Sequence, residues 1–295
     1  MTHGTIARNC LPPPTQTQGL QQLLPEGTCD SHLHVFGPSA LYPLHPGRSY
    51  TPYVSSLADY QTIMAALGIE RAVLIQPSVY GTDNSALLHA LQAGGNTFRG
   101  VVVPPPDIHD NELLALHEAG VRGIRLNLAN PQILSMDDAI QLSGRVATLG
   151  WHLQLQAQFS SDPGSSNNTV ALLGKLADQL QLPLVLDHMG RIDPRMKFTE
   201  LISFFKNSNS WVKLSAPYRS SLLPFPHQDL TPIVEALFAA CTDRLLWGTD
   251  WPHTEHIKDS PQAASLAELL QSWVPDAQAL QQVCVDNPAR LYDFP

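Results

Sequence analysis

Short β-type runs alternate with helical patterns along almost the whole chain, and the alternation repeats eight times. Strands are predicted over 29–35, 72–76, 100–103, 123–128, 152–157, 182–187, 211–215 and 245–248. Between them apolar residues recur at spacings of three and four, as in Leu57, Tyr60, Ile63, Met64 and Leu67, or Leu172, Leu173, Leu176 and Leu180. Gly68, Gly94-Gly95, Gly120 and Gly150 end such patterns where a left-handed helix cap is expected. Ser135 with Asp138 three residues on reads as a capping box. Seven intervening helices and a helical C-terminus make the pattern of a parallel sheet with helical crossovers. Eight repeats is the number that closes a barrel. A doubly wound sheet would alternate too, but would carry a Gly-rich phosphate turn after its first strand. Here that strand runs into His-Val-Phe-Gly at 34–37, with no GxGxxG. The predicted fold is α/β, a single (β/α)8 barrel.

The length of 295 residues fits one barrel of roughly 250 residues with longer loops at 36–53, 159–168 and 217–229. Residues 1–27 read as a flexible N-terminal arm and 28–295 as the barrel domain. The arm has no continuous apolar run of the signal-peptide kind. Apolar residues make up 43% of the chain, enough for a sizeable core, and charged residues only 15%, which excludes charge-driven disorder. Seventeen Lys+Arg against 26 Asp+Glu leave a net charge of −9. A chain so acidic, with no basic run, is a poor match for nucleic acid or anionic membrane, and no apolar stretch is long enough to span a bilayer. The four cysteines, Cys10, Cys29, Cys241 and Cys284, show no CxxC and are expected to be free thiols in a reducing cytoplasm.

In a barrel of this kind chemistry belongs at the C-terminal strand ends, and polar residues gather there. Strand one ends Asp30-Ser31-His32-Leu33-His34, strand four Arg125-Leu126-Asn127, and strand five Gln154-Leu155-Gln156. Strand six ends Asp187-His188, strand seven Lys213-Leu214-Ser215, and strand eight Gly248-Thr249-Asp250-Trp251. Residues i and i+2 share a face, so His32 and His34 both point into the mouth. One inward histidine is more often a satisfied core residue than a ligand. Six polar strand ends would each cost about 1–3 kcal/mol if left unsatisfied, which favours function. The HxH pair could supply two metal ligands or two donors to an oxyanion. Asp250 is the matching general base; its bland reading is an N-cap or ion-pair member. No Gly-x-Ser-x-Gly elbow is present, against a Ser-His-Asp hydrolase. Cys29 lies one residue off the inward face and reads as core. Trp251 is placed to wall a substrate pocket, whereas His89, His109 and His117 read as surface residues.

The segments CDSHLHVFG at 29–37, VRGIRLNL at 121–128, GWH at 150–152, DHMGR at 187–191, LWGTDWPH at 246–253 and NPARLY at 287–292 resemble the amidohydrolase superfamily. Within it they resemble the branch of 2-pyrone-4,6-dicarboxylate lactonase and the sugar-acid lactonases. The resemblance runs from about residue 29 to the C-terminus in one order and spacing. It implies a distorted barrel and catabolic hydrolysis of a lactone, a carboxylic ester closed into a ring. It also implies Asp250 as general base, with His32, His34 and His188 lining the site. Arg125 and Arg219 match the family's arginines and are expected to grip a substrate carboxylate, where the bland alternative is ion pairing with mouth carboxylates. Tyr50, Ser78, Asn127 and Gln156 are the further substrate-facing positions. The dicarboxylate lactonase has a second arginine where this chain has Asn130-Pro131, and a strand-five tyrosine where it has Gln156. A carboxylated or polyhydroxylated lactone with fewer anionic groups suits the difference better. Strand five also lacks the histidine of metal-dependent superfamily members, so no cofactor is expected. If a single divalent ion such as zinc binds, His32, His34 and Asp250 would hold it. The expected partner is a small lactone, with no nucleic acid or membrane, in a monomer or small homo-oligomer. Alternatives are a zinc-dependent decarboxylase or other hydrolase of the superfamily, and a non-catalytic binding barrel.

Overall fold

The computed structural model describes residues 7–14, 23–128, 133–159, 169–254 and 261–295. Asn130-Pro131 and most of the 159–168 loop lie outside them. Eight parallel strands follow one another around the sheet in chain order: β1 Cys29–Leu33, β2 Arg71–Ile75, β3 Phe98–Val102, β4 Val121–Asn127, β5 His152–Gln156, β6 Leu184–Leu186, β7 Trp211–Ser215 and β8 Leu245–Gly248. Every crossover carries a helix, from α1 Leu57–Leu67 after β1 to α7 Thr231–Cys241 before β8. Ser135 and Asp138 form the expected capping box, and Ser56 with Asp59 forms a second one at α1. None of the four cysteines, all among the described residues, forms a disulfide. The strand predicted over 182–187 shortens to Leu184–Leu186, because Asp187 already opens a tight turn.

Alternation along the strands sorts the side chains. Leu153, Leu155, Leu186, Val212 and Leu214 pack with helix residues such as Leu142, Val146 and Leu173, while the alternate residues Gln154, Gln156, Lys213 and Ser215 fall on the opposite face and are buried as well. Near the opposite ends of the strands, Cys29, Val73, Ile75, Val101 and Val185 form a separate core with Tyr292 and Phe294 of the C-terminal segment. The barrel floor is therefore apolar and its upper interior polar.

The barrel closes between β8 and β1 without a regular ladder. Leu33 and Trp251 make a single parallel bridge. The His34 N–H donates to Trp251 O at 2.8 Å, and the Asp250 N–H donates to His32 O at 2.8 Å. Lower down, the Asp30 carboxylate stands in for a backbone partner. It accepts from Thr249 N (2.9 Å), Thr249 Oγ1 (2.6 Å) and Tyr60 Oη (2.9 Å). Gly248 makes this approach feasible, since a Cβ there would sit 2.7 Å from His32 N. The seam thus binds the backbone of the HxH strand to that of Asp250.

Within the segment read as an arm, Arg8–Asn9 pairs in parallel with Tyr50–Thr51, and Leu24 is buried in the main core.

Candidate active site

Asp250 lies just beyond β8 in a left-handed conformation, φ 58°. Its two carboxylate oxygens face different company. Oδ2 accepts from Tyr218 Oη at 2.6 Å and from Arg219 Nε at 3.0 Å. Oδ1 is buried without a hydrogen-bond partner. Around it stand three imidazole nitrogens: His32 Nε2 at 3.6 Å, His34 Nε2 at 3.6 Å and His188 Nε2 at 3.8 Å. These separations exceed direct hydrogen bonds.

The far nitrogens of the rings explain their orientation. His34 Nδ1 lies 2.7 Å from Ile75 O. A carbonyl only accepts, so Nδ1 carries the proton and Nε2 presents a lone pair. His32 Nδ1 lies 3.3 Å from Asp187 Oδ1, an acceptor, and 3.5 Å from Lys213 Nζ, a donor, so its surroundings fit either tautomer. His188 Nδ1 meets Ser215 Oγ at 2.8 Å. Asp250 Oδ1 and the His34 Nε2 lone pair thus face one small space, with the Nε2 atoms of His32 and His188 beside them. His32, His188 and Asp250 offer ligand atoms within 4.8 Å of one another, a set that could hold a metal ion. The sequence-based trio differs in having His34 in the place of His188.

Nine of the ten residues expected at the site line one cleft: His34, Tyr50, Ser78, Arg125, Asn127, Gln156, His188, Arg219 and Asp250. His32 lies beneath it, fully buried. Arg125 donates to Gln76 O at 2.9 Å, to Gln156 Oε1, and to Asp187 Oδ2 at 3.3 Å. Arg219 Nη2 also donates to Thr254 O at 2.8 Å. Both arginines thus already hold carboxylates. Trp251 differs from expectation. It is buried against Tyr60, ring centroids 5.4 Å apart, and takes no part in the cleft lining. The reason is the seam, which turns Trp251 into a barrel strand and aims its indole at α1.

The amidohydrolase family profile matches residues 29–294. The chain belongs to the amidohydrolase family. This amidohydrolase is 33% identical over 97% of its length to 95% of a 4-sulfomuconolactone hydrolase from Hydrogenophaga intermedia. It is 34% identical to a 2-pyrone-4,6-dicarboxylate hydrolase from Comamonas testosteroni, with 91% of each chain covered. A solved Pseudomonas putida structure, named for 2-pyrone-4,6-dicarboxylic acid hydrolysis, superposes with a TM-score of 0.78 at 32% identity, covering 92% of this chain and 99% of that one. Among the described residues no helix is long and apolar enough to cross a membrane.

The amidohydrolase site keeps its charges by compensation. Burial works against an ionised Asp250, but Arg219 and the surrounding histidines outweigh it and hold the carboxyl well below the ordinary range. Asp187 behaves alike: burial raises it, and His32, Lys213 and Arg125 bring it well below. Burial pushes His188 down to about 3 and His32 well below its ordinary value, so both rings are neutral near pH 7. Lys213, whose Nζ donates to Ser31 O at 2.8 Å and Gln154 Oε1 at 2.7 Å, is brought to about 8 by burial.

Sequence reasoning passed over several participants. Ser49, Arg191 and Thr254 also line the cleft, and Tyr218 holds Asp250. Arg191 lies inside the DHMGR segment, and Ser49 and Tyr218 sit next to predicted site residues. Adjacency was the available signal, but only the turns decide which neighbours face inward. His188, Met189, Gly190 and Arg191 are all left-handed, a run that no periodicity announces.

Proposed function

We propose that this amidohydrolase opens a small lactone bearing one anionic group, with Asp250 Oδ1 as the base that takes the proton of the attacking water. It is a hydrolase of carboxylic ester bonds. The observation that carries the reading is the buried Asp250 Oδ1, without a hydrogen-bond partner and ringed by three imidazoles, while Oδ2 is secured by Tyr218 and Arg219. Water attacks the ester carbonyl as its proton passes to Oδ1. The tetrahedral adduct then expels the ring oxygen, and Asp250 returns the proton to that alkoxide or enolate. Asp187 orients His32, Ile75 O orients His34, and Ser215 orients His188.

An Nε2 lone pair cannot donate to an oxyanion, so the donor role considered for His34 is disfavoured. Neutral imidazoles and a carboxylate oxygen lacking any donor suit a divalent cation instead. The residues that would hold it are His32, His188 and Asp250. Such an ion, when bound, supplies Lewis acidity toward water or the ester carbonyl. This reading departs from the expectation of a site that needs no cofactor.

The substrate class follows from charge. The guanidinium groups of Arg125, Arg191 and Arg219 border the cleft, and the carboxylates facing them are Asp187 and Asp250. Guanidinium groups at the mouth suit an anionic ring, and Asn130-Pro131 in the place of a further arginine after strand four favours one carboxylate or sulfonate over two. Tyr50, Ser78 and Asn127 offer hydrogen bonds to ring substituents. Gln156 spends its oxygen on Arg125 and offers its amide N–H2. The test is a lactone panel at neutral pH: uncharged aldonolactones, monoanionic muconolactone-type rings and a pyrone dicarboxylate. Monoanionic rings should open with the highest kcat/KM. A panel left intact while β-keto acids or amides turn over would overturn the proposal. Chelation followed by elemental analysis tests the ion: loss of turnover restored by zinc supports it, and full activity without metal excludes a required one.

A further inference from the structure

We propose that Tyr218 is a positioning residue for Asp250, whose phenol fixes the carboxylate so that only Oδ1 is presented to water; the inference rests on the reading of Asp250 as the base. Tyr218 follows β7 in the short turn Pro217–Arg219, entered through a left-handed Ala216, φ 47°. That turn delivers two neighbouring side chains to one oxygen atom. Tyr218 Oη lies 2.6 Å and Arg219 Nε 3.0 Å from Asp250 Oδ2.

The two donors differ in what they cost the base. Arg219 brings a full charge, which lowers the basicity of Asp250. Tyr218 brings a short hydrogen bond without a formal charge, so it adds direction at a smaller loss of basicity than a second cation would cause. Burial and the neighbouring carboxylate keep the phenol protonated far above its ordinary range, so it remains a donor throughout. A single guanidinium could not define the carboxylate plane as well, because Arg219 is also tied to Thr254 O at 2.8 Å.

Tyr218 also closes a loop around Asp250. Its Oη lies 3.3 Å from His253 Nδ1, and the His253 N–H donates to Asp250 O at 2.7 Å. Backbone and side chain of Asp250 are thereby held through the same two residues. The left-handed backbone at Asp250, φ 58°, and at His253, φ 60°, is unfavourable for non-glycine residues and needs such support. With Oδ2 occupied twice, a proton from water has only Oδ1 to reach.

Tyr218→Phe keeps the ring that stands edge-on to His253 and removes only the hydroxyl. It should lower kcat for a monoanionic lactone about 10- to 100-fold while KM changes less than about twofold. Replacing Tyr218 with 3,5-difluorotyrosine keeps a donor and should hold kcat within about threefold of the natural enzyme. An unchanged kcat in the Phe variant, or a loss confined to KM, would overturn the proposal. So would a loss in the difluorotyrosine protein equal to that of the Phe variant. If the natural chain opens no lactone, the functional reading falls by itself. The crystal structure of Tyr218→Phe then still decides: a carboxylate turned away from the three imidazoles supports positioning, and an unaltered Asp250 refutes it.

Discussion

Asp187, after β6, and Asp250, after β8, are two fully buried carboxylates with the same kinds of neighbour and different exits. Each is held by an arginine, faces His32 and lies well below the ordinary carboxylate range. Asp187 is enclosed by Arg125, Gln154, His32 Nδ1 and, at 3.9 Å, Lys213, and does not line the cleft. Each keeps its Oδ1 without a hydrogen-bond partner, but of the two Asp250 is the one that lines the cleft. Burial and charge compensation are thus alike at the two corners. On the proposed reading, what separates the carboxylate that orients from the one that reacts is which of them faces the cleft.

Asp250→Asn breaks the comparison most completely. The amide cannot take a proton at neutral pH, so kcat should fall by about 10³-fold or more with ligand affinity retained. Steady-state kinetics beside calorimetric binding would measure it. Unchanged turnover would remove Asp250 from the mechanism, and a protein that binds lactones without ever opening them would be a binding barrel.

Asp187→Asn should act at one remove. Loss of the carboxylate that faces His32 Nδ1 and orients the ring predicts a fall in kcat of about 10- to 100-fold. Because Arg125 and Lys213 would stay buried with less compensation, urea denaturation should also register a loss of about 3–5 kcal/mol. A variant as inactive as Asp250→Asn but fully stable would show that the two carboxylates share the chemistry.

Acid stability sharpens the contrast between carboxylates and imidazoles. Both aspartates have folded values below the ordinary 3.8, so the stability they contribute is present above that value and is lost only as pH falls below it. Buried His152 is instead pushed down to about 3, and neither ring nitrogen has a hydrogen-bond partner. The unfolded chain takes up its proton near 6.5 and the native one near 3. Native stability therefore declines as pH drops across that window. His152→Leu should remove one proton from this uptake, flattening the decline by about 1.4 kcal/mol per pH unit, as read from urea midpoints between pH 6 and 4. An unaltered slope would place the acid-sensitive group elsewhere.

The smallest expected effect concerns the cleft wall at Tyr50. Arg8–Asn9 pairs with the strand carrying Tyr50, and Tyr50 lines the cleft. Removing residues 1–14 should raise KM about two- to fivefold and leave kcat nearly unchanged, since ground-state binding alone is disturbed. Equal kinetics in the two chains would mean that the wall stands without this pairing.

Legibility in the sequence followed the range of the physics. Strand and helix periods are local, and so are capping boxes such as Ser135 with Asp138. The eightfold alternation therefore specified the barrel, and the strand-end positions of His32, His34, His188 and Asp250 followed from it. The i, i+2 rule put His32 and His34 on one side, and both face Asp250 Oδ1. Arg125 and Arg219 were legible as residues at the mouth but not in their attachments. A guanidinium at a strand end can hold a ligand or a neighbouring carboxylate, and only packing sets which is within reach. Tyr218, Arg191 and the turn of Trp251 away from the cleft depend on left-handed turns and on the β8–β1 seam, which join segments far apart in the chain. The sequence by itself determined the architecture and the kinds of group at the mouth, because both rest on short-range periodicity. Tertiary structure alone decided which oxygen of Asp250 is left without a hydrogen-bond partner and which nitrogen each histidine turns toward it. Those depend on hydrogen-bond partners that only closure of the barrel brings together.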